Sequence, residues 1–174
     1  MSSDTRDRIL DSLETLLLEH GMTKVTLDSV AAAAGVSKGG LLYHFKTKDA
    51  LVAAMVRRLA VQADQQRADA GAGGTSVAEW YLQPPDCISE KEIALYRSTL
   101  AALRSVDGNS GEVQDAVTDM MQQWDEGLRT EIDDPVQAEI IRLVGDGIYL
   151  GAVLDLPAVD PELHKQVVDR LLGR

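Results

Sequence analysis

Lys38, Tyr43, His44 and Lys48 stand close together, beside the paired glycines Gly39-Gly40 and behind Ser37. An ammonium, a phenol and an imidazole are all groups that bond phosphate oxygens. Lysine can also reach guanine O6 and N7. Two residues without side chains let a bulky polyanion approach the backbone closely. Elsewhere the chain offers little that could do chemistry. There is no nucleophile–base pair, no Gly-rich phosphate loop and no carboxylate–histidine metal motif. His20, His44 and His164 are scattered. Cys87 is the single cysteine, so neither an internal disulfide nor a zinc site of known spacing can form. It reads as a bystander or, less simply, as a redox-sensing thiol. The sequence implies no cofactor and no metal. An all-α enzyme or carrier with an acidic cavity is the alternative, and no motif supports it.

The elements that must position these residues are helices. Ile9, Leu13, Leu16 and Leu17 form a helical stripe that His20-Gly21 stops. Thr26 is placed to cap a second helix carrying Leu27, Val30, Ala31 and Ala34 on one face, with Gly35 ending it. Ser37 caps a third, in which Leu41 and Phe45 stand four apart on one side. Val36, Leu41 and Phe45 would hold it, leaving Lys38, Gly39, Gly40, Leu42, Tyr43 and His44 facing away or sideways. Two short helices joined by a tight turn at residues 35–37 are a helix-turn-helix, and the second could enter a major groove.

Thr47 caps a fourth helix, which runs to about Ala70 before Gly71-Ala72-Gly73-Gly74 breaks it. A short helix is expected from Ser76 to Leu82, ended by Pro84-Pro85. Ser89-Glu90-Lys91-Glu92 reads as a capping box. Asp107–Gly111 reads as a loop. Val113, Val117, Met120, Met121 and Trp124 mark a further helix. Asp134-Pro135 opens one that continues to about Leu154, and Asp160-Pro161 opens the last. The expected fold is all-α, of about nine helices. A three-helix head at 3–63, with its motif at 26–45, precedes a larger helical domain at 64–174.

The formal net charge is −11, yet residues 1–60 hold eight Lys/Arg against seven Asp/Glu. The acid lies mostly beyond the head, as suits a head that touches DNA and a body that DNA repels. No apolar run approaches the roughly 18 residues a membrane span needs. The N-terminal residues lack the basic-then-apolar pattern of a signal peptide. A cytoplasmic protein without a membrane partner is expected.

Thr26-Leu27-Asp28-Ser29-Val30-Ala31, Ala34-Gly35-Val36-Ser37-Lys38-Gly39 and Tyr43-His44-Phe45-Lys46-Thr47-Lys48 together resemble the TetR/AcrR family of bacterial regulators. The resemblance is strongest over about residues 5–63. It implies a dimeric repressor that binds a palindromic operator in double-stranded DNA and leaves it when a small hydrophobic inducer binds. It further implies that Thr26 caps its helix and reaches phosphate. Ser37, Lys38 and Gly39, with Gly40, would lie over bases and backbone, and Tyr43, His44 and Lys48 would clamp phosphates. Leu42 departs from the tyrosine usual in the family, so it is left with a thymine methyl or with packing. That departure and the low basicity of the head motivate another alternative, an interaction protein whose head no longer binds DNA.

Residues 141–150 and 159–163 resemble, more loosely, the C-terminal domain of one TetR subgroup, which implies a dimer interface and an inducer pocket. Ile141, Gly145, Ile148, Gly151 and Ala152, with Leu163, Val167 and Leu171, are the interface candidates; Gly147 also lacks bulk there. Intrachain packing is the alternative for the glycines. Trp80, Tyr81, Tyr96, Met120, Met121, Trp124 and Tyr149 are the pocket candidates, with a simple core role as the alternative.

Overall fold

The structure is a computed structural model that describes residues 2–104 and 111–174. It forms α1 (Ser2–His20), α2 (Leu27–Ala33), α3 (Lys38–His44), α4 (Lys48–Ala72), α5 (Val77–Tyr81), α6 (Glu90–Leu103), α7 (Glu112–Glu131), α8 (Pro135–Val153) and α9 (Pro161–Leu171). Single 3-10 turns lie at Met22–Lys24 and Pro85–Cys87. Among the described residues there is no strand, so the all-α expectation holds. Most of the expected loop at 107–111 lies outside the described residues.

Two compact units are present. One contains Met1–Ala60 with Ala94–Met120, and the other contains Val61–Ile93 with Met121–Arg174.

In the first unit, local signals fix the helix ends. Thr26 and Ser29 cap each other reciprocally. The Thr26 hydroxyl accepts from Ser29 N at 3.0 Å, and the Ser29 hydroxyl accepts from Thr26 N at 2.9 Å. Ser37 Oγ accepts from Gly40 N at 3.0 Å and opens α3. Between α2 and α3, Gly35 adopts φ 65°, a left-handed conformation that a side chain would strain. That conformation turns the chain in a few residues.

Seven-residue helices such as α2 and α3 do not stand alone in water. Burial holds them. Val30, Ala31 and Ala34 on one helix and Leu41 and Phe45 on the other are all buried. Each large apolar side chain buried in this way contributes about 1.5–3 kcal/mol. The long helices beneath are joined by charge. On α4, Arg58 Nε donates to Glu14 Oε1 at 3.0 Å, Nη2 donates to the same oxygen, and Nη1 donates to Asp11 Oδ1 at 2.7 Å. The Glu14 side chain is only 4% exposed. Arg8 adds a bond from Nη2 to the Ala34 carbonyl at 3.4 Å, tying α1 to the end of α2.

In the second unit, α5 has only five residues and is held by its caps. Ser76 and Glu79 form a reciprocal box. The Glu131 carboxylate takes Val77 N at 2.7 Å and Ala78 N at 3.1 Å. The backbone hydrogen bond from Ser76, followed by the Arg174 guanidinium, holds the Glu79 carboxyl below the usual carboxylate range. Ala78, Leu82, Leu128 and Ile141 form the buried centre, with Val144, Ile148, Val168 and Leu171 packed around it. The His164 ring also meets the Leu82 carbonyl, with Nε2 at 2.9 Å, tying α9 to the end of α5.

Replacing Arg58 by Ala removes the guanidinium from the nearly buried Glu14 carboxylate. The expected loss is about 3–5 kcal/mol, read as a lower midpoint in chemical denaturation. A loss below 1 kcal/mol would show that α1 and α4 do not depend on this pair.

Candidate functional site

The third helix divides its residues sharply. Leu41 is fully buried and Phe45 nearly so, whereas Tyr43 is 82% exposed. Ser37, Lys38, Gly39 and Leu42 are also exposed, and Gly40, His44 and Lys48 are half-buried. Seven of the nine residues read as DNA-contacting thus stand on or beside one short helix, and five of them, Ser37, Lys38, Gly39, Leu42 and Tyr43, are exposed. The Lys38 ammonium rests on Asp28 at 3.0 Å, an exposed pair that costs little to open. His44 meets the Tyr43 ring edge-on, with centroids 5.2 Å apart. Lys48 Nζ donates to the Met22 carbonyl at 3.2 Å, which sets the start of α4 against the preceding turn. The two glycines differ. A Cβ on Gly40 would come within 3.3 Å of the Ser37 cap oxygen, whereas one on Gly39 would meet only that oxygen, at 4.0 Å. Gly40 therefore serves the cap, and Gly39 leaves an open approach.

The second unit contains an aromatic pocket lined by Trp80, Tyr81, Gln83, Glu92, Trp124, Gly145, Asp146, Ile148 and Tyr149. Trp124 is its hub. The rings of Trp80, Tyr81 and Tyr149 meet it edge-on at 6.3, 6.2 and 6.0 Å between centroids. The Trp124 Nε1 donor is buried with no hydrogen-bond partner among the described residues. Two hydroxyl–carboxylate pairs bound the site. Tyr81 donates to Asp146 at 2.6 Å, and Tyr149 donates to Glu92 at 2.8 Å. Burial first, then the hydrogen bond to Asp146, pushes the Tyr81 hydroxyl far above its ordinary range, so it remains a donor. Arg142 holds the other Asp146 oxygen at 2.7 Å and is itself held by Glu139. A wider groove of about 470 Å³ lies nearby, lined by Leu82, Pro84, Pro85, Val159, Pro161 and His164 among others.

Four of the expected pocket residues, Trp80, Tyr81, Trp124 and Tyr149, thus come together. Tyr96 and Met120 do not. They are buried in the first unit, where the Tyr96 hydroxyl meets Met120 Sδ at 3.8 Å. Met121 is half-buried in the second unit and does not line the pocket. Sequence reasoning missed Glu92, Gln83 and Asp146. Glu92 was hidden by its capping motif. Ser89 does cap α6, accepting from Glu92 N at 3.2 Å, but the Glu92 carboxylate reaches Tyr149.

The residues expected at an interface divide between core and surface. Ile141 and Gly145 are buried within their own chain. A Cβ on Gly145 would lie 2.1 Å from Tyr81 Cδ1 and 2.9 Å from the Tyr81 carbonyl, so the glycine admits α5 rather than a second copy. Ile148 and Leu171 pack on the same core. The exposed apolar side chains of α8 lie on the opposite side of the helix, at Val136, Ile140, Leu143 and Leu150, with Leu154 just past its end. Gly147 continues that row, with open space where a side chain would be. Gly151 and Ala152 are half-buried, and Leu163 and Val167 of α9 are exposed.

Cys87 is exposed in its 3-10 turn. Burial and the neighbouring Asp86 push its thiol up, which favours the less reactive protonated form. Among the described residues no group of His, Cys, Asp or Glu could hold a metal ion. No described helix is long and apolar enough to cross a membrane.

Gly145→Ala should force α5 away from α8, because the clash includes a backbone carbonyl that cannot rotate aside. A destabilisation of about 1–3 kcal/mol is expected, with altered tryptophan emission. Wild-type stability and emission would contradict the close approach.

Comparison with known proteins agrees with this architecture. Residues 9–55 match the family described as bacterial regulatory proteins, tetR family. Residues 76–174 match the tetracyclin repressor-like C-terminal domain. The HTH-type transcriptional repressor Rv1474c of Mycobacterium tuberculosis is 30% identical, over 94% of this chain and 89% of its own. The HTH-type transcriptional regulator PksA of Bacillus subtilis is 23% identical, over 94% and 85%. Among solved structures, the multidrug binding protein EbrR complexed with ethidium aligns with a TM-score of 0.74 at 26% identity, over 96% of this chain and 97% of that one. With both halves matched and a relative of this identity spanning nearly the whole chain, the protein belongs to the TetR family of bacterial regulatory proteins.

Proposed function

We propose that this chain is a homodimeric transcriptional repressor that grips a palindromic operator through α3. It releases the operator when a small molecule enters the aromatic pocket. Residues 3–63 serve as the DNA-binding part and 64–174 as the dimerising and ligand-binding part, acting in the cytoplasm. The observation that carries this reading is the division at α3, where Leu41 and the following Phe45 are buried while Lys38, Gly39, Leu42 and Tyr43 face solvent. On DNA, Lys38 exchanges Asp28 for a phosphate or a guanine edge. Tyr43, His44 and Lys48 set the register on the backbone, and Thr26 and Ser37 add hydroxyls at two helix starts.

The exposed row on α8 supports a two-fold dimer. Val136, Ile140, Leu143, Gly147, Leu150 and Leu154 recur at alternating spacings of four and three, the rhythm of helices packed side by side. Leu163 and Val167 offer a matching pair on α9. Such a face is self-complementary, and a two-fold pair of heads suits two half-sites. The aromatic pocket supports a small-molecule ligand, as does the structural likeness to EbrR with ethidium bound.

Enrichment of genomic fragments by the purified protein, followed by footprinting, should reveal a short inverted repeat bound with steep salt dependence. No enrichment at low or moderate salt would overturn the reading. Lys38→Ala and Tyr43→Ala should each weaken operator binding by about 1–3 kcal/mol without a change in helicity. Unchanged affinity in both would place the wrong helix in the groove. Leu143→Glu should give a folded monomer in sedimentation, because it places a charge in the proposed seam. A variant that remains dimeric would exclude that seam.

A further inference from the structure

We propose that Arg6 is a further DNA-contacting residue of the head, a phosphate grip that the Phe45 ring holds at the C-terminal end of α3. The proposal rests on the reading above that α3 meets DNA. It adds to that reading a contact from α1 that carries no base information.

The head holds eight lysines and arginines within residues 1–60. Four have polar partners in the free protein. Arg58 is held by Glu14 and Asp11, and Lys38 by Asp28. Arg8 donates to the Ala34 carbonyl and Lys48 to the Met22 carbonyl. Arg6, Lys24, Lys46 and Arg57 stand in no ion pair among the described residues. Arg6 is nonetheless held in place. Its guanidinium carbon lies over the Phe45 ring, 5.4 Å from the centroid, within the reach of a cation–π contact.

That contact fixes where the charge stands. Phe45 is buried and directly follows the last residue of α3. Its ring meets His44 at 6.4 Å between centroids, and the His44 ring meets Tyr43 at 5.2 Å. Arg6 therefore ends a row of rings that includes Tyr43 and His44, both already read as contacts to the DNA backbone. It also lies ahead of residues 9–55, the segment matched to the family.

The donors of Arg6 remain unused. A ring face attracts the charge but does not take up the five N–H groups as a carboxylate would. Among the described residues Arg6 makes no hydrogen bond. Its own helix supplies no counter-charge, because the residues three and four away are Ser2, Ser3, Ile9 and Leu10. The side chain is exposed, and a planar fork of donors suits a phosphate. A residue that merely covered Phe45 would need the apolar stem and not the charge.

Binding of the full chain to the operator recovered by footprinting, and to an unrelated duplex of equal length, tests the proposal. Fluorescence anisotropy across a series of salt concentrations is measured for wild type, Arg6→Met and Arg6→Lys. Methionine keeps an apolar cover on Phe45 and removes the charge. Lysine keeps the charge and loses the planar fork. Arg6→Met should weaken binding to both duplexes by about tenfold for each head bound. It should flatten the plot of log affinity against log salt by about one for each head bound, with circular dichroism unchanged. Arg6→Lys should keep the wild-type slope at an intermediate affinity. Wild-type slope and affinity in Arg6→Met would overturn the proposal. So would a weaker affinity at the wild-type slope, which marks a packing role, or a loss confined to the operator, which marks a base contact. A slope in Arg6→Lys as flat as that of Arg6→Met would overturn it too. If wild-type protein binds operator and Arg6→Met matches it, α3 still meets DNA and only the Arg6 contact falls. Wild-type protein that binds no duplex at low salt removes the DNA reading itself, and this contact with it.

Discussion

The geometry of the head depends on one half-buried guanidinium. Arg58 of α4 is set between Glu14 and Asp11 of α1, with Glu14 almost fully withdrawn from water. A pair of this kind adds little net stability compared with an apolar substitute, because both charges lose their hydration. Its contribution is to geometry. Apolar side chains such as Leu10, Leu13, Leu51 and Met55 could slide past one another by part of a turn and remain buried. The charge pair permits one register of α4 on α1. The two seven-residue helices above cannot hold their own shape, so the presentation of Lys38 and Tyr43 follows from that register.

The pocket is built on the opposite device, an absence of bulk. At Gly145 the missing side chain lets the Tyr81 ring and carbonyl lie against α8. Tyr81 then reaches Asp146 on the next residue of that helix, and its ring meets Trp124. Asp146 is in turn held by Arg142, one turn earlier on α8. A single close approach therefore sets a ring, a hydroxyl donor and the neutralisation of one carboxylate together. Glu92 stands apart from this chain of contacts, and so keeps its charge uncompensated.

Local features were legible in the sequence wherever one residue's chemistry has one use. Thr26, Ser37 and Gly35 mark the helix-turn-helix because caps and left-handed turns accept few residue types. Leu41 and Phe45 read as inward because they stand four apart on one face of the helix. Reading failed where two answers share one pattern. The eighth helix is apolar on both sides, so the row through Ile141, Gly145 and Ile148 and the row through Ile140, Leu143 and Leu150 have the same period. A shift of two residues, about 200° round the helix, exchanges inside for outside, and the close approach of Tyr81 to Gly145 marks the inner row. Tyr96 and Met120 were grouped with Trp124 because all three fit apolar stripes, yet sequence spacing carries no information on which unit a stripe faces. Ser89-Glu90-Lys91-Glu92 satisfied a capping rule, which concealed the more consequential partner of Glu92 far along the chain.

The distribution of charge bears on how the head selects DNA. Residues 1–60 are close to neutral while the rest of the chain carries the acid, so attraction to phosphate in general is weak. Non-specific binding scales with the number of phosphates that lysine and arginine neutralise. A head with few free cations therefore gains little from arbitrary DNA. Asp28 sharpens this further. It occupies Lys38 at 3.0 Å in the absence of DNA and opposes any polyanion that approaches without offering Lys38 a better partner. Because the pair is exposed, opening it costs at most about 1 kcal/mol. That is small against a correct base or phosphate contact, but it is comparable to what a poorly placed phosphate returns. Low basicity in the head is thus compatible with operator binding, and it shifts the burden of affinity from general charge to the few groups that α3 presents.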